Sequence, residues 1–182
     1  MRVTSTAIAD LKIIDPDYYS DNRGSLFESF SANRYADEAG IKIDFVQDNH
    51  SRSTRNVLRG LHYQITHPQG KLVRSVVGII FDVGVDIRTD SPSFGHWAGV
   101  ILSADNRRQL WLPPGFAHGF FVLSDVAEVL YKTTAYYDPA DEHCLAWNDP
   151  AIGIEWPLDG VTPIVSDRDN DGLSFKEIQA LQ

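Results

Sequence analysis

The feature that most constrains the fold is a succession of short segments rich in β-branched and aromatic residues. Most are bounded by Gly, Pro, Asn, Asp or Ser, which is typical of strands separated by turns. Alternation is clearest where Phe81, Val83, Val85 and Ile87 share one face of an extended segment. Many short strands at this spacing predict a β-sandwich or a β-barrel. The predicted strands are Leu11–Asp15, Ser25–Phe30, Asp44–Asn49, Val57–Gln64, Leu72–Arg88, Trp97–Ser103, Gln109–Pro113, Gly119–Leu123, Ala127–Tyr137 and Cys144–Trp147.

Only two segments favour helix. The first is Ser31–Ala39, with Ser31 as N-cap and Gly40 just beyond its end. The second begins at Ser174, where Ser174 and Glu177 have the spacing of a capping box. No repeat, low-complexity tract or linker interrupts the 182 residues, a length near the ~150-residue prior for one domain. We therefore expect one mainly β domain over residues 1–182, with short peripheral helices and a C-terminal helix.

Charge and apolar patterning exclude several classes of partner. The 16 Lys and Arg against 25 Asp and Glu give a net charge of −9, which argues against nucleic acid and anionic membranes as partners. No apolar run approaches the ~18 residues of a membrane span, and the N-terminus has no signal-peptide pattern. A single cysteine, Cys144, excludes an intrachain disulfide. We therefore expect a cytoplasmic protein.

The charge is uneven along the chain, because the segment from Ser51 to Ser75 is purely basic. This segment could hold a small anion, or it could be the solvated face of a strand. Its charged residues are Arg52, Arg55, Arg59, Lys71 and Arg74.

Two histidines stand in sequence contexts that suggest a site. Residues 113–118, ending at His118, have the P-x-G-x-x-H form of the second motif of cupins, which are small jelly-roll barrels. A metal-binding cupin also needs an earlier H-x-H pair, but here His62 is followed by Tyr63 and Gln64. Because a divalent metal site usually needs three good ligands, the sequence disfavours a metal site. A metal-dependent cupin oxygenase using His62 and His118 is a remote alternative.

Acid–base chemistry is the other possibility. His62 suits proton abstraction because imidazole changes its protonation near neutral pH. Lys71 could stabilise an enolate if it projects into a barrel, and Tyr131 begins an aromatic stretch that ends at Tyr137. Each residue could instead have a purely structural role. His62 could be a hydrogen-bonded strand residue, Lys71 a surface residue and Tyr131 a packed aromatic ring. Spacing alone leaves the choice open.

A series of short motifs runs in order through nearly the whole chain, from about residue 10 to residue 170. They are 21–24 (DNRG), 45–51 (FVQDNHS), 58–64 (LRGLHYQ), 70–74 (GKLVR), 81–83 (FDV), 85–88 (VDIR), 114–120 (PGFAHGF), 131–134 (YKTT), 136–137 (YY), 147–150 (WNDP) and 166–169 (SDRD). In this order the motifs resemble those of the dTDP-4-dehydrorhamnose 3,5-epimerase family of the cupin superfamily. The resemblance implies a cupin-type jelly-roll β-barrel.

The resemblance also implies a reaction. The substrate would be dTDP-4-dehydro-6-deoxy-D-glucose, whose C4 ketone acidifies the hydrogens on C3 and C5. Proton removal gives an enolate, and reprotonation on the opposite face inverts the carbon, leading to dTDP-4-dehydro-L-rhamnose. The protein must supply a base, an oxyanion stabiliser and an acid, and no metal or other cofactor is implied.

Two alternatives to this reaction stay open. A relative that inverts only C3 or only C5 would share the same scaffold and base. A non-catalytic sugar or nucleotide binding module would explain the basic segment and the aromatic residues, but not the joint presence of His62, Lys71, Tyr131 and Asp169.

Matched position by position, the resemblance implies roles for individual residues. His62 is the base, Asp169 its carboxylate partner, Lys71 the enolate stabiliser and Tyr131 the acid. Arginines match residues that hold the pyrophosphate, since a planar guanidinium pairs well with phosphate oxygens. The implied substrate-binding residues are Arg23, Arg59, Glu28, Gln47, Asp48, Asn49, His118, Glu142, Arg168 and, stacked on the thymine, Tyr137.

The resemblance further implies a homodimer, in which the Arg23–Glu28 segment reaches into the neighbouring subunit's site. Three positions depart from the family's pattern. Leu26 stands where an aromatic residue is common, and Arg168 replaces a common lysine. The turn at 170–172 lacks the usual proline, which affects the expected placement of Asp169.

Overall fold

The computed structural model describes residues 1–181, and nearly all of its strands belong to two antiparallel sheets. The strands are β1 (Arg2–Ser5), β2 (Lys12–Asp15), β3 (Tyr18–Asp21), β4 (Gly24–Phe27), β5 (Gln47–Thr54), β6 (Leu58–Gln64), β7 (Lys71–Val77), β8 (Ile79–Asp86), β9 (Trp97–Ser103), β10 (Gln109–Leu112), β11 (Phe116–Val122), β12 (Val126–Thr133) and β13 (Glu142–Cys144). The helices are α1 (Ala32–Ala39), α2 (Asp167–Asn170) and α3 (Phe175–Leu181).

The two sheets share one core. The six-stranded sheet has the order β1-β2-β10-β7-β12-β5, the five-stranded sheet has the order β13-β6-β11-β8-β9, and β3 pairs only with β4. The main apolar cluster draws Val73 and Leu110 from the first sheet and Ile80, Leu102 and Phe120 from the second. Each such buried side chain stabilises the fold by about 1.5–3 kcal/mol. The predicted mainly β, cupin-type architecture is confirmed.

The continuous strand predicted over Leu72–Arg88 is wrong. The chain turns at Gly78, which has a φ of +74°, so that β7 and β8 lie in different sheets. A Cβ at this position would lie 2.0 Å from the Val126 carbonyl oxygen and 2.3 Å from Ser124 Oγ. The turn therefore requires glycine, and an apolar run without Pro or Asn does not reveal it.

Both predicted helices are present. Gly40 ends α1 in the left-handed conformation, although Ser31 makes no side-chain cap hydrogen bond. At the start of α3, the Ser174 backbone N–H donates to Glu177 Oε2 at 2.8 Å and the Glu177 backbone N–H donates to Ser174 Oγ at 3.4 Å, which confirms the predicted capping box. The described residues contain no helix that is both long and apolar enough to span a membrane.

The short helix α2 was not predicted from the sequence, and it carries Asp169. Its N-cap is Ser166, whose Oγ accepts a hydrogen bond from the Asp169 backbone at 3.2 Å. The preceding segment is held against the start of β6, where Leu58 N donates to the Ile164 carbonyl at 2.9 Å. Tertiary contacts thus bring α2 beside β6.

The β3–β4 hairpin lies outside both sheets. All four residues of β3 are exposed, and Leu26 on β4 is 75% exposed. Its contacts with the rest of the chain include two cation–π interactions: Arg107 lies 3.4 Å from the Tyr18 ring centre, and Arg74 lies 5.9 Å from that of Phe27. Every residue from Tyr18 to Leu26 is exposed.

Candidate active site

A cavity of about 340 Å³ opens between the two sheets. The six-stranded sheet contributes side chains from β5, β7 and β12, and the five-stranded sheet contributes side chains from β6, β11 and β13. The lining consists of Gln47, Asn49, Ser51, Arg59, His62, Gln69, Lys71, His118, Gly119, Phe120, Tyr131, Tyr137, Glu142 and Arg168. Ten of the fourteen residues predicted to act at the site line this one cavity.

His62 on β6 forms a close pair with Asp169 on α2. Its Nε2 lies 2.6 Å from Asp169 Oδ1, and the carboxyl group of Asp169 is buried. Burial alone would raise the pKa of Asp169, but hydrogen bonds from His62 and from the Gly60 backbone outweigh it and lower the pKa. Asp169 is therefore a carboxylate at neutral pH and holds the imidazole ring in one orientation.

Gly60 makes this arrangement possible. Its backbone N–H donates to Asp169 Oδ2 at 3.1 Å, and its φ is +103°. A Cβ at this position would lie only 2.5 Å from the His118 carbonyl oxygen. Glycine therefore allows β6 and β11 to approach closely while one amide remains directed at Asp169.

The pairing leaves one nitrogen of His62 available as a base. A carboxylate only accepts hydrogen bonds, so Nε2 carries the ring proton and Nδ1 carries the lone pair. Glu142 Oε1 is 4.0 Å from this Nδ1. In hydrolase triads, too, a carboxylate hydrogen-bonded to one ring nitrogen orients the imidazole while the other nitrogen acts as the base. The carboxylate also stabilises the imidazolium formed on proton abstraction.

Lys71 is buried on the opposite sheet, on β7, and its Nζ donates to the His62 carbonyl at 3.2 Å. Burial lowers the pKa of Lys71 to about 8, and the nearby carboxylates of Glu142 and Asp82 limit this shift. At neutral pH the ammonium group is therefore mostly charged. A cation in a place with little water can strongly stabilise an oxyanion.

Tyr131 on β12 faces the cavity from the same sheet as Lys71. Burial raises the pKa of its phenol, and the negative charge of Glu142 acts in the same direction. Tyr131 therefore stays protonated near neutral pH and can donate a proton to a carbanion. It stands across the cavity from His62, because β12 and β6 belong to different sheets.

One part of the cavity lining is a polar network centred on Glu142. The carboxylate of Glu142 forms an ion pair with Arg168 and accepts a hydrogen bond from Tyr137 Oη at 2.9 Å. Gln47 Oε1 accepts from the Tyr137 backbone at 3.0 Å. Nearby, Arg59 Nε donates to Ser53 Oγ at 2.9 Å. Two guanidinium groups and one aromatic ring are thus available here for an anionic, aromatic ligand.

Arg23, Glu28 and Asp48 do not line this cavity. Arg23, with a side chain 86% exposed, pairs with Asp21 of its own hairpin, and Glu28 pairs with Arg34. Asp48 pairs with Lys132, because the alternation of β5 directs it away from the face that carries Gln47 and Asn49.

Comparison with known proteins decides the family. The sequence profile of the dTDP-4-dehydrorhamnose 3,5-epimerase family matches residues 5–177. The chain belongs to this family. The family member from Pseudomonas aeruginosa is 51% identical over 177 residues, which cover 97% of each chain. The predicted reaction is confirmed: the enzyme is an isomerase that epimerises dTDP-4-dehydro-6-deoxy-D-glucose to dTDP-4-dehydro-L-rhamnose.

Solved structures agree with this assignment. The epimerase RmlC from Legionella pneumophila Philadelphia 1, in complex with dTDP-4-keto-L-rhamnose, is 50% identical, with a TM-score of 0.95 covering 99% of this chain and 95% of that chain. A more distant relative is ChmJ, a 3'-monoepimerase from Streptomyces bikiniensis in complex with dTDP-quinovose. It is 33% identical, with a TM-score of 0.89 covering 97% of this chain and 89% of that chain.

The residues of this epimerase offer a poor site for a cupin-type metal. The amide of Gln64, at the position of the second histidine of the H-x-H pair, is engaged with backbone groups. Its Nε2 donates to the His67 carbonyl at 2.8 Å, and its Oε1 accepts from the Asp138 amide at 3.0 Å. Cys144 lies close to the His62–Asp169 pair, but burial raises the pKa of its thiol to about 12, which keeps it protonated.

Sequence reasoning missed some residues of the site. Ser51 continues the alternation of Gln47 and Asn49 along β5, a signal that could have revealed it. Gln69 lies in a loop, where no periodicity applies. Asp82 lies behind His118 rather than in the lining, and its signal is a charged residue inside an otherwise apolar strand.

Proposed function

We propose that this enzyme epimerises its substrate through proton transfers made by His62 and Tyr131 on opposite faces of the sugar ring. His62 Nδ1 removes the proton next to the C4 ketone, and the electron pair of the C–H bond moves to the C4 oxygen. Tyr131 then gives its phenolic proton to the same carbon from the other side. Proton exchange with solvent returns His62 and Tyr131 to their starting states.

The observation that carries this proposal is the location of the three groups on two facing sheets. His62, with its carboxylate partner, lies on one wall of the cavity, and Lys71 and Tyr131 lie on the other. A planar enolate between the walls would have a base on one face and an acid on the other. The Lys71 ammonium would stabilise the negative oxygen, since it is buried beside the His62 backbone.

We also assign the nucleotide part of the substrate to the polar network of the cavity. Arg59 and Arg168 are the cations available for the pyrophosphate, and Tyr137 offers an aromatic face to the thymine. When a phosphate approaches, Arg168 can exchange its pairing with Glu142 for pairing with the ligand. This assignment favours a nucleotide-linked sugar over a free sugar.

The active unit of this proposal is a homodimer. Arg23 and Glu28 lie on and beside an exposed hairpin that packs little on its own chain, so a second copy would place them at the partner's cavity. Leu26, 75% exposed, would then be buried between the copies. The cytoplasmic location and the single domain remain predictions.

Proton NMR of the dTDP-4-keto sugar with enzyme in deuterated water tests the proposed chemistry. We expect deuterium to enter at both C3 and C5, with inversion of both carbons. Exchange at only one carbon would support the monofunctional alternative, which has a precedent in the relative ChmJ, a 3'-monoepimerase. No exchange at either carbon would contradict the proposed proton transfers by His62 and Tyr131.

Exhaustive chelation tests whether the epimerisation needs a metal ion. We expect turnover to survive treatment with a strong chelator, because Lys71 and the His62–Asp169 pair handle the charge that a metal would otherwise stabilise. Loss of turnover on chelation, with recovery on adding back a stoichiometric metal, would overturn the metal-free mechanism.

A further inference from the structure

We propose that Asp82 is a positioning residue of this active site, which fixes the ring of His118 and adds a negative charge beside the cavity that His118 and Lys71 both line. The proposal deepens the proposed function, because it relies on Lys71 as the enolate stabiliser. Asp82 lies behind the cavity lining and is not expected to touch the substrate.

Asp82 occupies an unusual place for a charged residue. It is fully buried within β8, in the wall of the barrel, and its Oδ1 lies 2.8 Å from Nε2 of His118 on the neighbouring strand β11. Its other oxygen, Oδ2, has no hydrogen-bond partner among the described residues. Burying a carboxylate with one unpaired oxygen is costly, and an apolar residue in the same place would avoid that cost. A functional role accounts for its presence.

The first role concerns the tautomer of His118. Since the carboxylate only accepts, Nε2 of His118 carries the proton and Nδ1 carries a lone pair. Burial lowers the pKa of His118, so the ring is neutral at neutral pH despite the opposing effect of Asp82. His118 lines the cavity, where Nδ1 can accept a hydrogen bond from a sugar hydroxyl. Asp82 thereby makes His118 an acceptor rather than a donor.

The second role concerns the charge of Lys71. The ionisable groups around the cavity are His62 and Arg59 on β6, Asp82 on β8, His118 on β11, Tyr131 on β12, Glu142 on β13, Arg168 on α2, and Tyr137, with Asp169 behind His62. Among them, Glu142 and Asp82 stabilise the ammonium, Glu142 being the stronger. Glu142 is also paired with Arg168, whereas the ion pairs among the described residues give Asp82 no partner besides His118.

The substitution Asp82→Asn separates charge from hydrogen bonding. Its amide oxygen can still accept from His118 Nε2, while the negative charge is lost. If Lys71 must be protonated for turnover, the rate falls as pH rises through about 8, the pKa of Lys71. We expect this basic limb to move to lower pH by about 0.5–1 unit in Asp82→Asn, as for the loss of a nearby opposite charge. An unmoved limb would overturn the second role.

The control is Asp86→Asn, which removes another fully buried carboxylate from the same strand. Asp86 lies four residues, or about 13 Å, along β8 and is held by Arg88, Ser91 and Ser93 rather than facing the cavity. We expect this variant to lose stability without any movement of the basic limb. If the basic limb moved equally in both variants, a general loss of stability would explain the movement. That result would also overturn the second role.

Two spectroscopic measurements do not depend on turnover or on whether a variant folds. Nitrogen NMR of wild-type enzyme labelled at histidine should show His118 neutral and protonated at Nε2, and an Nδ1–H tautomer would overturn the first role. Carbon NMR of labelled lysine in wild type should show Lys71 titrating near pH 8. If His62→Ala kept full activity, the proposed mechanism would fail, but the tautomer of His118 would still decide the first role of Asp82.

Discussion

The cavity and the β3–β4 hairpin differ in how far their functional side chains are paired and buried within one chain. In the cavity, His62, Lys71 and Asp169 find their partners within one chain. In the hairpin, Arg23 pairs with Asp21 two residues away, and Leu26 is 75% exposed. The first region lies between the two sheets, whereas the second packs little on its own chain.

The difference shows which functions one chain can complete alone. Proton abstraction needs a base, its orienting carboxylate and a buried cation, and one chain supplies all three in or beside the cavity between its sheets. A two-stranded hairpin by itself is marginally stable in water. The exposed charged and apolar side chains of this hairpin therefore add little to the stability of their own chain. We therefore expect substitutions in the cavity to affect chemistry in every subunit, and substitutions in the hairpin to act on a neighbouring copy.

The largest effect is expected from His62→Ala. Loss of a positioned general base typically reduces the rate by about 10²–10⁴-fold, and exchange at both C3 and C5 should fall together. Circular dichroism should show an unchanged fold, since His62 is partly exposed in the cavity. The matched control is His96→Ala, an exposed histidine outside the site, which should retain full activity. Near-normal turnover in His62→Ala would show that another group is the base.

Lys71→Met should reduce activity and increase stability. Removing a charge aimed at the oxyanion should lower kcat by about 10²–10³-fold. The pKa of Lys71 is about 8 in the folded chain against 10.5 ordinarily, so its charged form opposes folding at pH 7, by up to about 3 kcal/mol.

The lowered pKa of Lys71 also predicts how its effect on stability changes with pH. Between pH 8 and pH 10.5 the unfolded chain binds more protons at this residue, so the contribution of Lys71 to the free energy of unfolding should rise with pH, which the difference between wild type and Lys71→Met isolates. The contribution of Lys71 to that rise should vanish in Lys71→Met. Urea unfolding of both proteins at pH 7 and pH 9 measures the difference. A less stable Lys71→Met at pH 7 would contradict the assigned cost of the buried charge.

Tyr131→Phe should separate proton removal from inversion. Phenylalanine cannot donate a proton, but His62 can still remove one and return solvent deuterium on the original face. Inversion should fall by about 10²-fold or more, while deuterium enters the substrate at a rate closer to that of wild type. The carbon that gains deuterium identifies the centre that the site addresses. Equal loss of exchange and inversion would mean that Tyr131 is needed for binding or for enolate formation.

Mixing Arg23→Ala with His62→Ala tests the hairpin directly. In a mixed dimer, one site contains the intact His62 of one chain and the intact Arg23 of the other. With random pairing in a two-fold symmetric dimer, activity should recover to about a quarter of the wild-type level. Failure to recover, despite exchange of subunits shown by mass spectrometry, would place both residues in the site of one chain.

The smallest effect is expected from Leu26→Tyr. An aromatic residue at this position would offer the thymine of the neighbouring site a second stacking surface, worth about 0.5–1.5 kcal/mol. We expect KM to fall a few-fold, with kcat unchanged. The control Leu26→Ala should raise KM or leave it unchanged. An unchanged KM in Leu26→Tyr would mean that this part of the hairpin does not approach the nucleotide.

Much of the local structure and most of the site were predictable from the sequence. Alternation and turn residues located most strands, and the capping box located α3. The order of the motifs identified His62, Lys71, Tyr131 and Asp169 as a set. The strand and helix predictions succeed because periodicity and capping are local properties of adjacent residues, whereas the set of site residues came from the resemblance to the family's motifs.

The tertiary structure decided what depends on residues far apart in the chain. The turn at Gly78 divides an apolar run between two sheets because Val126 and Ser124 crowd it from a distant segment. Helix α2 is placed by contacts between residues about 107 positions apart, and they bring Asp169 within 2.6 Å of His62. The pairing of Asp82 with His118 likewise arises only from the register of two strands. Composition and spacing set which groups are available, but distance and burial determine their charge and partners, and these exist only once the sheets have packed.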